Sequence, residues 1–550
     1  MAKTIDVNNI PAEKFALAQG RDYSHDKKLD TKPIGYFKDA FMRFCKNTGS
    51  VIGFIIIGLL VLFAILVPFF TPFTVPYSDA FFNSLYPKSE LFESLGIDFW
   101  DGCTNKQVNE IDFLEYSAIG QETGDLIVKN NKFTITTIGS ARLYNIRYNS
   151  YHKVGVTYEY LTKAQFKALQ EYQDEIGVQI ILPAVADLGK DNNGKKLVDS
   201  YPQLKDKPNI WYKIELLKTY DSEGNLSKKV KPVPMALRNE DGSIAFDENG
   251  EVQFVNNYLQ IGDPSVYWDD EYTSDMYIEG DTKQYMYSIK MQGEDQYKVR
   301  VNYYEYYIYK HKLANDGITR PSFLFGTNAQ GKDILVCLAS GARLSFILAI
   351  VVSAVNMFVG AIYGAIEGYY GGVLDLLMER FSDILSAVPF MIVITLLKLH
   401  MGNSSPLLIL FISFFLTGWI GMASRVRMQF YRFKNQEYVL AARTLGATDR
   451  RVMFKHIFPN SLGTIITGSI LSIPGMIFSE SSLSYLGIIN LSGDITSVGN
   501  LLSSAQAHIR DFPHMMLFPA IFISLLMLSF NLFGNGLRDA FNPSLRGSEE

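Results

Sequence analysis

Six stretches of this 550-residue chain contain no Asp, Glu, Lys or Arg: 47–78, 344–366, 384–397, 399–424, 456–479 and 512–537. Crossing the hydrocarbon of a bilayer as a helix takes about 20 apolar residues, with about 17–25 the usual range. All but the third stretch are long enough, and Lys398 at the end of that one can reach the interface and extend it. Residues 401–406 (MGNSSP) carry a turn signal that separates the third stretch from the fourth. The chain therefore reads as an all-α polytopic membrane protein with six transmembrane helices. The first falls at 49–72 and the others at about 341–366, 382–400, 405–424, 461–482 and 514–537. A soluble protein with six buried helices is the competing reading, and charge-free runs of this length count against it. The first stretch follows some fifty residues and lacks a small-residue cleavage pattern, so it reads as a retained span.

Composition divides the chain into two materials. Residues 71–320 carry 37 acids against 27 bases and 24 of the 32 tyrosines, while the remainder carries 19 acids against 24 bases. The charged share of the whole, 19%, lies below the ~25% usual for soluble domains, which excludes a polar disordered chain. Residues 73–320 read as an α+β domain inserted between the first two spans. Thr162 caps an amphipathic helix running to Gln173. Residues 241–310 read as strands, with Asp241-Gly242 and Asn249-Gly250 as hairpin turns and the aromatic run VRVNYYEYYIYKHKL facing a sheet core or an extended peptide.

Orientation follows from Lys and Arg in the short connections. Residues 1–50 hold nine of them and 424–460 hold eight, whereas 398–406 and 480–513 hold one each, Lys398 and Arg510. The N-terminal segment 1–48, the loop 425–460 and the C-terminal tail are thus expected in the cytoplasm, and 73–340 outside. The loop 367–383, with Arg380 against Glu367, Asp375, Glu379 and Asp383, disagrees, but acids weigh little in this rule.

The most informative loop is QEYVLAARTLGATDRRVMFKHIFPN, 436–460. Residues 436–445 suit a helix, Gly446 breaks it, Thr448 can cap a second helix with Asp449 in its first turn, and Pro459 closes that helix. The small residues Ala441, Ala442, Gly446 and Ala447 leave the corner with little bulk, flanked by apolar Val439, Leu440, Leu445, Met453 and Phe454. Such a knob fits a groove on a cytosolic partner. A basic helix lying on anionic lipid is an equal reading from the residues alone.

This loop resembles the Glu-Ala-Ala loop of ABC-importer permeases. Ala441, Ala442 and Gly446 match its pattern, Phe458-Pro459 occupies its end, and Leu440 stands where the family has Glu, with Glu437 one turn earlier. The resemblance extends through RFCKNTGSVIG (43–53), FGTNAQGKDIL (325–335), GARLSFILA (341–349), EGYYGGVLDLLMERFSDILSAVP (367–389), SESSLSYLGI (479–488) and FNLFGNGLRDAFNP (530–543). Together these resemble the C-type permease subunit of the oligopeptide, dipeptide and nickel importers, over about 35–75 and 320–545 in the same order. The resemblance implies the type I ABC-importer permease fold in a bacterial cell membrane. It implies a B-type permease partner, one or two cytosolic ATPase subunits, and an external lipoprotein that delivers peptide. It places ATPase coupling on Glu437, Ala441, Ala442, Arg443, Gly446, Ala447, Asp449 and Pro459. No relative is expected to explain 76–319, for which docking or alignment of the substrate-binding protein is the expected role.

The remaining motifs each carry a bland alternative. Gly326-x4-Gly331-Lys332 imitates a phosphate-binding loop, but Asp333 replaces the hydroxyl residue that would hold magnesium, so no ATP site is expected in this chain. ATP and Mg are expected on the partner ATPase, and the chain itself is expected to be no enzyme. Gly360, Gly364 and Gly368 lie on one helix face and suit close packing, within the subunit or against a partner. Pro389 and Pro474 are expected to interrupt spans three and five. Glu480, after a long uncharged run, reads as a solvated helix end or as part of a translocation pathway. Cys45, Cys103 and Cys337 form no CxxC, and the seven His residues show no ligand spacing, so no metal site is expected. A non-transporting receptor whose domain binds peptide or a partner protein is the alternative function. An ion-driven transporter is a third, against which the uncharged spans argue.

Overall fold

The computed structural model describes residues 36–95, 98–139, 141–182, 194–195, 209, 214–220, 225–255, 288–290, 296–402, 404–491 and 496–541. Among the described residues, five helices are long and apolar enough to cross a membrane: Thr48–Phe70, Ile334–Tyr370, Pro406–Phe433, Asp449–Tyr485 and His514–Phe541. A pair of helices, Gly372–Ser386 and Phe390–His400, bent by 72°, stands where the third span was expected and makes a sixth if the two halves cross as one. Pro389 sits at that break as the cap of the second half. A residue before proline is pushed out of the helical region, so the break belongs where the sequence put it. Pro474 does not interrupt its span: helix Phe458–Tyr485 runs through it. One turn before it, the Ser353 and Ser472 hydroxyls donate to the Ser469 carbonyl at 3.0 and 2.7 Å and tie the fifth span to the second.

Helix rise sets how far the spans reach. The first, 23 residues capped by Asn47, is ~35 Å long and matches the ~30 Å hydrocarbon core. Ile334–Tyr370 and Asp449–Tyr485 have 37 residues each, ~55 Å, so both project beyond the bilayer. The glycine row of the second span explains how it meets the fourth. A methyl on Gly360 would lie 2.6 Å from the Trp419 carbonyl, on Gly364 2.1 Å from that of Ala423, and on Gly368 2.7 Å from that of Arg427. The row therefore packs backbone to backbone inside this subunit.

Among the described residues, nine strands lie between the first two spans: β1 Cys103–Asn109, β2 Val128–Ile138, β3 Ala141–Asn149, β4 Val156–Leu161, β5 Ile181–Leu182, β6 Ile214–Tyr220, β7 Leu226–Pro234, β8 Ser288–Lys290 and β9 Tyr297–Asn302. They form a sheet in the order β1-β3-β2, a second in the order β4-β9-β5 with β8 also on β9, and the hairpin β6-β7. Helix Glu110–Thr123 covers the first sheet and shares a core with it through Phe113, Leu114, Tyr144 and Ile146. Helix Lys163–Ile176 is capped by Thr162 as expected, runs past Gln173, and has Gln165 completing a capping box. The turns at 241–242 and 249–250 form, with Gly242 and Gly250 at φ +75° and +79°.

The aromatic run is divided differently from the sequence reading. Strand β9 ends at Asn302, whose side chain caps a helix over Tyr303–Ala314. Packing shows the switch: Tyr303 and Tyr307 turn into the core shared with Phe82 and Phe323, while Tyr309 turns into a separate one with Leu169 and Val299, two faces that a helix presents and one strand face does not.

The α+β domain is joined to the spans by a seam. Backbone hydrogen bonds pair Asp79 with Gly331, Ser84 with Asn328, and Lys88 with Phe323. Phe73, Phe82, Leu85, Tyr151, Tyr303, Tyr307, Phe323 and Val336 form the core beneath it. Gly331 and Gly326 have φ of +74° and +77°, and added methyls would stand 1.8 Å from the Asp79 carbonyl oxygen and 2.3 Å from that of Leu85. The glycines of the imitation phosphate loop thus serve close backbone approach, and Asp333 caps the second span through Leu335 N at 2.8 Å.

Candidate functional site

The candidate coupling loop folds as an elbow on the fourth and fifth spans. Helix Glu437–Thr444 ends in a turn where Gly446 takes φ +82°, in the left-handed region that favours glycine. The chain re-enters helix at Asp449–Arg451, passes through a π-helical turn, Val452–Ile457, and continues as Phe458–Tyr485. Pro459 therefore does not close the second arm. It stands in the first turn of the segment that follows the π turn, where a missing N–H is tolerated. Thr448 occupies the cap position without a side-chain bond.

The elbow is two-sided. Val439, Val452 and Ile457 are fully buried against Ala365, Tyr369, Val426 and Phe430 of the second and fourth spans. Leu440, Leu445 and Phe454 are exposed, Leu445 to 88%. Glu437, Ala441, Arg443 and Gly446 are also exposed, and Ala442 and Ala447 half-buried. Two polar contacts hold the corner: Tyr369 Oη donates to Asp449 Oδ1 at 2.5 Å, and the Arg443 guanidinium lies 5.1 Å from the Tyr369 ring centre. Lys434 Nζ donates to the Gly368 carbonyl at 2.9 Å, tying the elbow's base to the end of the glycine row.

A cluster beside the elbow went unnoticed in the sequence. Arg427 reaches from the fourth span to Asp375 (2.6 Å) and Glu379 (2.7 Å) on the first half of the bent span, with Glu367 at 3.5 Å. Tyr431 donates to the same Asp375. Three of the four acids of 367–383 thus converge on one arginine, and the fourth, Asp383, pairs with Arg380 at 3.0 Å. The spacing of Glu367, Asp375 and Glu379 was legible, but their partner lies some fifty residues away.

Glu480 is not a solvated helix end. It is 1% exposed and accepts from Ser345 Oγ at 2.7 Å and Ser484 Oγ at 3.1 Å, between the second and fifth spans. A buried carboxylate in lipid needs such donors, and hydroxyls from two helices supply them. Among the described residues no group of His, Cys, Asp and Glu is arranged to hold a metal ion.

Residues 356–547 match the family described as binding-protein-dependent transport system inner membrane component, and 35–87 match the N-terminal TM domain of oligopeptide transport permease C. The oligopeptide transport system permease protein OppC of Bacillus subtilis is 41% identical over 222 residues, 40% of this chain and 72% of that protein. The dipeptide transport system permease protein DppC of the same organism is 39% identical over 223 residues, 40% of this chain and 69% of the relative. Among solved structures, the inward-facing MetNI methionine ABC transporter is 15% identical and covers 38% of this chain and 96% of its own, with a TM-score of 0.32. The matched segments contain the elbow, the glycine row and the first span. The chain therefore belongs to the inner-membrane permeases of binding-protein-dependent ABC transporters, as a C-type subunit of the oligopeptide and dipeptide group.

Proposed function

We propose that this chain forms half of the translocation pathway of an ATP-driven peptide importer and that its elbow, Glu437 to Pro459, receives motion from a separate ATPase subunit. The two-sidedness of the elbow carries this reading: an apolar outer surface at Leu440, Leu445 and Phe454 is fixed to an inner surface buried among the spans. A rigid knob of that form suits helix-in-groove recognition, and a push on it moves the second, fourth and fifth spans together. Leu440, where relatives of this kind are expected to have Glu, adds apolar area, and exposed Glu437 keeps an acid one turn away.

In this reading the elbow and both termini face the cytoplasm and the α+β domain faces outward. A B-type permease subunit completes the pathway, one or two ATPase subunits bind ATP and Mg, and an external lipoprotein hands over peptide. Gly360, Gly364 and Gly368 hold the second span to the fourth, and Glu480 fixes the outer part of the fifth span.

Replacing Ala442 by Glu and Gly446 by Asp tests the assignment. The first puts a charge on the contact surface, and the second forces a side chain into a left-handed φ. In proteoliposomes holding the complete importer, ATP-driven peptide uptake is expected to fall by roughly tenfold or more. Membrane insertion should stay as in the unsubstituted protein for both variants, and thermal unfolding for Ala442→Glu, while the backbone strain of Gly446→Asp lowers its unfolding temperature without preventing folding. Normal uptake by both variants overturns the coupling role.

A further inference from the structure

A cavity of about 610 Å³ lies where the α+β domain meets the connection into the last span. One wall is strand β1, contributing Thr104 to Gln107, and the other is formed by Arg510 to Pro513. β1 is an edge of its sheet, pairing only with β3 among the described residues. Thr104 and Lys106 lie opposite Tyr148 and Ile146 on the face covered by helix Glu110–Thr123, while Asn105 and Gln107 belong to the other face. Since successive strand residues point to opposite faces, a cavity touching all four runs along the strand's open edge.

Its charge is one-sided. Lys106, Lys153 and Arg510 line it against the single acid Asp511. Among the described residues none of these cations has a carboxylate partner. Lys106 lies over the Tyr148 ring at 5.0 Å, and Lys153 Nζ donates only to the carbonyl and side-chain oxygens of Asn83. Burial, reinforced by the charge of Lys106, brings the Lys153 amine down to about 8. A buried cation that meets only neutral acceptors gains most when an anion arrives.

We propose that this cavity binds the end of an extended peptide, its main chain along the edge of β1 and its terminal carboxylate among Lys106, Lys153 and Arg510. An open strand edge alternates N–H and C=O groups, which a peptide main chain matches, whereas the carbonyls find no donor on a lipid phosphate; this is why the peptide is the occupant. The volume falls within the ~300–1,000 Å³ of small-ligand sites. Tyr86 and Phe512, 5.4 Å apart between ring centres, supply an apolar wall for side chains. The inference rests on the importer reading and gives the α+β domain a direct contact with the cargo.

The test uses the full-length chain in phosphatidylcholine nanodiscs, without the binding protein, titrated calorimetrically with trialanine and with trialanine amide. The free acid should bind roughly tenfold more tightly than the amide, the worth of one charge-assisted contact set. Lys106→Gln combined with Arg510→Gln, both at exposed positions, should abolish that ratio, while Lys153→Arg should keep it. Equal binding of acid and amide overturns the proposal, as does an unchanged ratio in the double variant. Displacement of bound trialanine by phosphatidylglycerol, added to the nanodiscs at equimolar amount, also overturns it by marking a lipid site. A complete importer that takes up peptide yet shows no acid preference sinks this site alone. One that shows the preference but takes up nothing sinks the importer reading alone.

Discussion

Asp333 shows how one side chain can be read two ways. In sequence it spoils a phosphate loop; in the fold it is 3% exposed and caps the second span. Burial pushes its carboxyl from 3.8 up to about 7, against the pull of the Leu335 and Val336 backbone N–H groups. The sign follows directly. A raised folded value means the folded chain holds a proton that the unfolded chain has released. The stabilisation is complete below 3.8 and is lost as pH climbs to about 7. Asn caps a helix as well as Asp and carries no charge. Between pH 5 and 8, thermal unfolding of the unsubstituted chain should therefore weaken relative to Asp333→Asn, by at most ~1.4 kcal/mol per pH unit. Parallel pH profiles for the two proteins would remove the protonated carboxyl from the account.

At the scale of elements, the glycine row makes a sharper demand than its sequence pattern. Its three positions meet backbone atoms of the fourth span, which cannot swing aside as a side chain can. Gly364→Ala should lower stability by about 1–3 kcal/mol through overpacking. Gly475→Ala, in the fifth span with nothing within 4 Å, should not, and thermal unfolding of both in one detergent gives the comparison. The small-xxx-small spacing was legible because it is local; which helix it meets was not. The same division holds elsewhere. Charge-free runs marked the spans, and the Thr162 cap with its amphipathic run marked its helix, because both signals lie within one element. The helix at Tyr303–Ala314 was misread as strand because the segment is rich in Tyr, which favours strands, and its buried positions, Tyr303, Tyr307, Tyr309 and His311, all fit an alternating pattern as well. Glu480's burial depends on Ser345, more than a hundred residues away, and Arg427's role on acids some fifty residues earlier. Long-range pairing of this kind leaves no periodic trace.

At the scale of the molecule, the question is where the permease ends and the α+β domain begins. The sequence reading placed the border near 73 and 320, but the seam shifts it. Residues 79–88 are bonded to 323–331 by backbone hydrogen bonds, and Thr327 Oγ1 both donates to the Phe82 carbonyl at 2.7 Å and accepts from Leu85 N at 2.9 Å. This hairpin-like joint closes over the cap of the second span, and the match to the permease N-terminal family runs to residue 87. Lys88 N lies 2.9 Å from the Phe323 carbonyl oxygen, so the chain leaves and returns at one point and a short linker can close the gap. Excising 89–320 with a Gly-Asn-Gly bridge should therefore leave a monodisperse membrane core that unfolds cooperatively. Excising 80–320 should not, because it strips Phe82 and Leu85 from the core and removes the carbonyl against which Gly326 is set. The joint leaves Phe82 without Tyr303 and Tyr307 in the first deletion, so a lowered unfolding temperature is expected there, but a folded species. Size-exclusion profiles and unfolding curves that cannot tell the two deletions apart would show that the joint belongs to the α+β domain and not to the spans.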